Sequence, residues 1–128
     1  MNLGVLAAVA VGGAVGSLAR YAMVVWIGKL LGTGFPYGVL VVNVTGGFIM
    51  GALVELMALA WSPSEATRAF LTVGILGGYT TFSAFSLDAW LLLDKGLFGP
   101  ALLYIAASVI LSVAALVAGL YATRLVVT

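Results

Sequence analysis

The sequence predicts an all-α integral membrane protein with four transmembrane helices, and three observations predict it. Of 128 residues, 64% are hydrophobic and 7% are charged, whereas a soluble domain is usually about a quarter charged. Four apolar stretches are each long enough to cross a hydrocarbon core of about 30 Å, which takes roughly 20 helical residues. The connections between them leave no room for a soluble domain, so the chain is one four-helix unit.

The first helix is expected over residues 3–27. Met1-Asn2-Leu3-Gly4 lacks the basic start of a secretory signal, and the apolar run exceeds a signal's core, so this segment reads as a retained span. The second is expected over 37–60, after Thr33-Gly34-Phe35-Pro36. The third is expected over 67–93. Ser62-Pro63-Ser64-Glu65 reads as its cap, with proline in the first turn. The fourth is expected over 100–127, because Gly96 and Gly99-Pro100 mark a stop and a restart. Gly12-x-x-x-Gly16 and Gly47-x-x-x-Gly51 let helix backbones approach closely in lipid, either within one bundle or between subunits.

Charge and composition exclude whole classes of chemistry. The chain has no Cys and no His, which removes disulfide frameworks, thiolate metal sites, cysteine nucleophiles and histidine bases. A net charge of +1 offers no basic field for nucleic acid. Arg68 and Arg124 fall on one side of the membrane, and Lys29 and Lys95 on the other, joined by Arg20 if it snorkels that way. This near-absence of bias gives no preferred insertion. Either the protein simply has few charges, or it is made in both orientations.

The third segment carries the strongest local signal, Gly74-Ile75-Leu76-Gly77-Gly78-Tyr79-Thr80-Thr81-Phe82-Ser83-Ala84-Phe85-Ser86. Adjacent glycines followed by two β-branched threonines weaken a helix, so a break in mid-membrane is expected. Backbone groups freed there find no partner in lipid and must face protein, water or an ion. Freed carbonyls suit a hard cation such as Na⁺ or K⁺. Glycines alone are more often a packed kink, and the threonine pair shifts the reading towards function. Phe82 and Phe85 share a helix face; such residues are ordinarily core or lipid-facing, but their positive ring edges also suit an anion route. Asn43, inside the second helix, is either an interhelical hydrogen-bonding group or an anion donor with two N–H protons. Its match to a glycosylation pattern, Asn43-Val44-Thr45, has no meaning at that depth. Tyr104, Ser108 and Ser112 form a stripe of hydroxyls on the fourth helix. A lone serine usually bonds its own helix, whereas three aligned hydroxyls can replace an ion's water. Glu55, Asp88 and Arg20 each lie within about 10 Å of a helix end at 1.5 Å per residue, so the deep polar groups are neutral donors. That set suits a small, strongly hydrogen-bonding anion.

Three motifs then resemble one family. Gly77-Gly78-Tyr79-Thr80-Thr81-Phe82-Ser83-Ala84-Phe85 is similar to the Thr-Thr-Phe-Ser-Thr-Phe signature of the Fluc (CrcB) fluoride channels. Gly12-Gly13-Ala14-Val15-Gly16-Ser17-Leu18-Ala19-Arg20-Tyr21 resembles its first-helix motif, and Asn43-Val44-Thr45-Gly46-Gly47-Phe48 its second-helix motif. The resemblance implies an antiparallel, dual-topology homodimer with two pores, exporting fluoride passively across a bacterial inner membrane and giving fluoride resistance. It implies a structural Na⁺ at the dimer interface, held by backbone carbonyls of Gly77 and Thr80. It carries pore roles onto Phe82, Phe85 and Asn43, more loosely onto Tyr104, Ser108 and Ser112, and leaves Arg20 as a vestibule or structural charge. Ala84 departs from the family's threonine and puts any hydroxyl role there in doubt. No catalytic residue is expected, and the partners are fluoride, a second copy of the chain and lipid.

Two other classes compete. A small multidrug exporter, a proton-coupled cation antiporter, resembles this chain in size but needs a membrane-embedded Glu in its first helix. Here Arg20 is the only charge within residues 3–27. A non-transporting membrane subunit would need neither a polar stripe nor a helix break.

Overall fold

The computed structural model describes residues 1–128, all of it helix and short connections, with four helical spans long and apolar enough to cross a membrane. The chain is a multi-pass membrane protein. In the first span, α1 (Leu3–Leu31), Asn2 Oδ1 caps the helix by accepting from the Gly4 N–H at 2.7 Å. The helix runs on past residue 27, because Gly28 is tolerated within it and Lys29 meets the negative end of the dipole in the last turn. It stops at Gly32, whose φ of +82° is a left-handed value that a side chain disfavours. The second span, α2 (Tyr37–Leu59), follows Pro36 directly.

The third span covers Glu65–Asp94 and is built from pieces. Ser64 caps α3 (Glu65–Ala69), its Oγ accepting from the Thr67 N–H at 3.2 Å. Pro63 therefore precedes the helix rather than sitting in its first turn. A π-helical stretch, Phe70–Leu76, follows, and the Gly77 N–H reaches back to both Thr72 O and Gly74 O. After α4 (Gly77–Tyr79), Thr80 turns extended with φ −85° and ψ 157°. Helix resumes as α5 (Ser83–Asp94). Thr80–Phe82 thus sit outside helix near the midpoint of the span. The fourth span, α6 (Phe98–Val127), begins ahead of residue 100, so Pro100 falls in the first turn, where its missing N–H costs nothing.

Glycine notches set the packing. α1 lies along the first half of the third span, while α2 and α5 both pack on α6. A Cβ on Gly12 would sit 2.6 Å from Phe70 O, and one on Gly16 would overlap Ile75 O. Gly51 faces Leu116 O and Gly119 faces Phe48 O in the same way, with no space for a methyl group. Both small-x-x-x-small pairs therefore serve packing inside the subunit, where backbone contact replaces the hydrophobic drive that lipid cannot supply. One end of the α2–α6 pair is fastened by Arg124 Nη2 to Glu55 Oε2 at 2.7 Å. Thr123 Oγ1 donates to Ala52 O at 3.1 Å beside it. The core is a cluster of Val39, Phe85, Ala89, Leu92, Ala101 and Tyr104, where α5 and α6 meet the start of α2.

Candidate functional site

Asn43 is the hub of the site. Its Oδ1 accepts the Thr81 N–H at 2.8 Å, and its Nδ2 donates to Thr81 O at 3.0 Å. The side chain thus grips both backbone groups of one residue on the third span. A primary amide has two N–H donors, so one remains for another acceptor. The interhelical bond, one of the two readings of Asn43 in the sequence, is present, and it leaves one N–H unused.

The two threonines divide the work of ending one helix and starting the next. Thr80 closes the first half. Its N–H and its Oγ1 both donate to Leu76 O, at 3.0 and 2.8 Å. Thr81 opens the second half, its Oγ1 accepting the Ala84 N–H at 3.1 Å as a helix cap does. These bonds have a consequence for the carbonyls. In a continuous helix the Thr81 N–H would bond Gly77 O and the Ala84 N–H would bond Thr80 O. Here those donors are taken by Asn43 Oδ1 and Thr81 Oγ1. Gly77 O and Thr80 O have lost their helical partners for a local, nameable reason.

A groove of about 430 Å³ runs past this point. It is lined from α2 by Asn43, Gly46, Gly47 and Met50, from the third span by Thr80, Thr81, Phe82 and Phe85, and from α6 by Ser108, Val109, Ser112, Val113 and Leu116. The hydroxyls of Ser108 and Ser112 are buried and have no hydrogen-bond partner in the chain. Leaving a buried donor unpaired costs about 1–3 kcal/mol, and in native proteins such groups answer to water or a ligand. Phe82 is 76% exposed on the outside of the subunit, whereas Phe85 is 8% exposed, between groove and core. Their ring centroids are 5.3 Å apart with the planes tilted by 47°. Phe85 is again 5.3 Å from Tyr104, and Tyr104 stands edge-on to Phe35 at 5.6 Å.

Against this geometry, a family model described as CrcB-like protein, Camphor Resistance (CrcB), matches residues 7–120. The chain belongs to the CrcB family. It is 53% identical over 117 residues to a protein of Rhodospirillum centenum named fluoride-specific ion channel FluC, covering 91% of this chain and 93% of that one. A protein of the same name from Nitrobacter winogradskyi is 50% identical over 119 residues, covering 93% and 94%. One from Caulobacter vibrioides is 51% identical over 117 residues, covering 91% and 92%.

In this CrcB-family chain the groove gathers Asn43, Thr80, Phe82, Phe85, Ser108 and Ser112 from three helical spans. Tyr104 is set apart from the groove. It is fully buried, behind Phe85, with its hydroxyl 3.4 Å from Asp88 Oδ2. Gly77 is exposed, its carbonyl turned loose just before the interruption. Arg20 is half-buried on α1, and the chain's one ion pair is Arg124–Glu55. Sequence reading took Thr81 only as half of the threonine pair and Asp88 only as a charge near a helix end. Thr81 carried its signal in the threonine pair. Asp88 lies three residues after Phe85 on the same face, a spacing that marks it as a neighbour of whatever Phe85 touches.

Proposed function

We propose that the chain is the subunit of a fluoride channel that lets fluoride leave the cytoplasm passively across a bacterial inner membrane and so confers fluoride resistance. One observation carries this reading: the Ser108 and Ser112 hydroxyls are buried without partners and line a groove with Asn43, Phe82 and Phe85. Fluoride holds its water tightly, so a path must replace that water with donors at each step and still release the ion. Neutral hydroxyls, an amide N–H and ring edges do both, where a fixed cation would trap the ion. The names of the relatives from Rhodospirillum, Nitrobacter and Caulobacter support the same ion. A proton-coupled cation exporter fits less well, since α1 contains no carboxylate at all. The test is fluoride efflux from liposomes followed with a fluoride electrode. Efflux far above protein-free liposomes, without matching chloride efflux, is expected; efflux equal to the blank would reject the reading.

The active unit in this reading is an antiparallel homodimer with two pores. The groove is open on the subunit surface, and the exposed Phe82 ring projects from it, so a second copy is needed to close a path. The third span works as a broken helix at mid-membrane. A hard cation, Na⁺, fits there: Gly77 O and Thr80 O are neutral oxygens deprived of helical partners, and such oxygens replace a hydration shell. Gly77 and Thr80 of one chain fill only part of that shell, and a twofold-related copy brings the same pair.

Loss of one hydroxyl is expected to be mild. A hydrogen bond is worth about 0.5–1.5 kcal/mol net and more to a charged group, but a water that fills the gap restores most of it, so Ser108→Ala or Ser112→Ala slows efflux by roughly tenfold or less. Single-channel or liposome flux measures this, and complete loss in both variants would contradict a shared hydroxyl track.

The near-equal distribution of Lys29 and Lys95 against Arg68 and Arg124 fits insertion in both orientations. Reporters fused to the C-terminus are expected on both sides of the membrane. Adding Lys residues to one loop should force a single orientation and reduce efflux unless an oppositely biased copy is co-expressed. One native orientation in the reporters would rule out dual topology.

A further inference from the structure

Tyr79 is the last helical residue before the interruption, and its hydroxyl lies 2.9 Å from Thr45 Oγ1. Thr45 has one hydroxyl hydrogen; spent on Val41 O, 2.7 Å from its Oγ1, it leaves that oxygen to accept from the Tyr79 hydroxyl. Thr45 is two residues along α2 from Asn43, and Tyr79 is two residues before Thr81. The α2 surface therefore holds the interruption at two points, through Tyr79 just before it and through the Thr81 backbone within it. Between the two anchors, Gly46 provides the notch. A Cβ there would overlap Thr80 Cγ2 and sit 3.1 Å from Tyr79 Cδ2.

The segment needs such an anchor. Upstream of it lie a π-helical stretch and two glycines without side chains, Gly77 and Gly78. Gly78 is seated against Gly13 O of α1, where a Cβ would come within 2.7 Å, while Gly77 is exposed and has no side chain to fix its carbonyl. The nearest side chain that ties this short helical turn to a neighbouring helix is Tyr79. The bond joins hydroxyls on two separate spans, so it fixes a direction as well as a distance.

We propose that Tyr79 is a positioning residue: with Thr45 it forms a second clamp, opposite the Asn43 clamp, that aims Gly77 O and Thr80 O and so sets how tightly the chain holds its cation. The inference rests on the cation reading given above. It assigns Tyr79 no contact with the permeating anion.

The full-length protein in liposomes tests it, with fluoride efflux measured as Na⁺ replaces N-methyl-glucamine. Losing one neutral hydrogen bond corresponds to about a three- to tenfold change in an equilibrium constant. Tyr79→Phe is expected to raise the Na⁺ concentration for half-maximal efflux by about that factor, with efflux at saturating Na⁺ restored. Thr45→Val should do the same, the Tyr79→Phe/Thr45→Val pair should go no further, and Thr45→Ser should match the original chain. A purely structural role would lower efflux at every Na⁺ concentration and leave the midpoint in place, and that outcome overturns the clamp. A Na⁺ midpoint in the original chain that neither Tyr79→Phe nor Thr45→Val moves also overturns the clamp and leaves the cation reading standing. An original chain indifferent to Na⁺ removes the cation reading and the clamp together.

Discussion

Replacing Phe82 with Ile is expected to slow fluoride efflux by roughly 10- to 100-fold or more, and Phe85→Ile by at least as much. Isoleucine keeps much of the bulk and loses the ring edge, the one part of a phenylalanine that carries partial positive charge. If the ring edge serves the ion as well as a hydrogen bond to a charged group does, worth about 1.5–3 kcal/mol, its loss raises the conduction barrier by that amount and slows passage about 10- to 100-fold. The two sites differ in what else they disturb. Phe82 is 76% exposed, so the change removes little packing within the subunit. Phe85 belongs to the core cluster with Val39, Ala89 and Tyr104, and a change of shape there costs about 1 kcal/mol or more of stability. Phe82→Ile is therefore the cleaner test. The rings also orient one another, since Phe82, Phe85, Tyr104 and Phe35 follow in a chain of centroids 5.3, 5.3 and 5.6 Å apart. Removing Phe85 leaves Phe82 without its tilted neighbour, which is why its effect is expected to be the larger. Flux close to the original in a monodisperse Phe82→Ile protein would place the anion path elsewhere.

The spans were legible because the bilayer imposes a single length on every crossing segment, and four runs of apolar residues meet it. Their ends were less legible, for reasons that differ from end to end. Gly28 and Lys29 look like a stop in sequence, yet a glycine in a helix costs only about 1 kcal/mol relative to alanine, and the true stop is Gly32, where φ becomes positive. Pro63 and Pro100 were each a residue or more from where their helices begin, because proline marks a neighbourhood and not a boundary. The residue types at the site were readable. Their partners were not, since Asn43 and Thr81 are 38 positions apart and nothing local in either points to the other. The division of labour between Thr80 and Thr81 was hidden for the same reason: it depends on which backbone donor Asn43 removes. The π-helical stretch Phe70–Leu76 has no pattern in the sequence that announces it. It lies where α1 presents Gly12 and Gly16 to the carbonyls of Phe70 and Ile75, a fit that only the paired helices define.

Asn43→Asp is expected to reduce fluoride efflux by about 100-fold or more, and the geometry separates two reasons. The substitution removes both N–H protons, so the bond to Thr81 O at 3.0 Å becomes a repulsion between oxygens. It also places a carboxylate in the groove wall, where a like charge in a poorly solvated setting at an effective dielectric of about 20 repels an anion at 4 Å by roughly 4 kcal/mol. The acceptor for the Thr81 N–H is retained, however, and a charged acceptor makes a stronger bond. Gly77 O therefore stays without its helical partner, and on the cation reading its oxygen remains available to Na⁺. Asn43→Ala has the opposite pattern. It adds no charge to the groove, but it returns the Thr81 N–H to Gly77 O and lets the helix close over the interruption. Thermal unfolding in detergent with and without Na⁺ distinguishes the two, because a ligand that binds only the folded protein raises its melting temperature. Asn43→Asp should keep the Na⁺-induced rise and lose efflux. Asn43→Ala should lose the rise. If Asn43→Asp conducts fluoride near the original rate, the amide does not face the ion; if Asn43→Ala keeps the full response to Na⁺, the release of Gly77 O has another cause than the grip of Asn43 on Thr81.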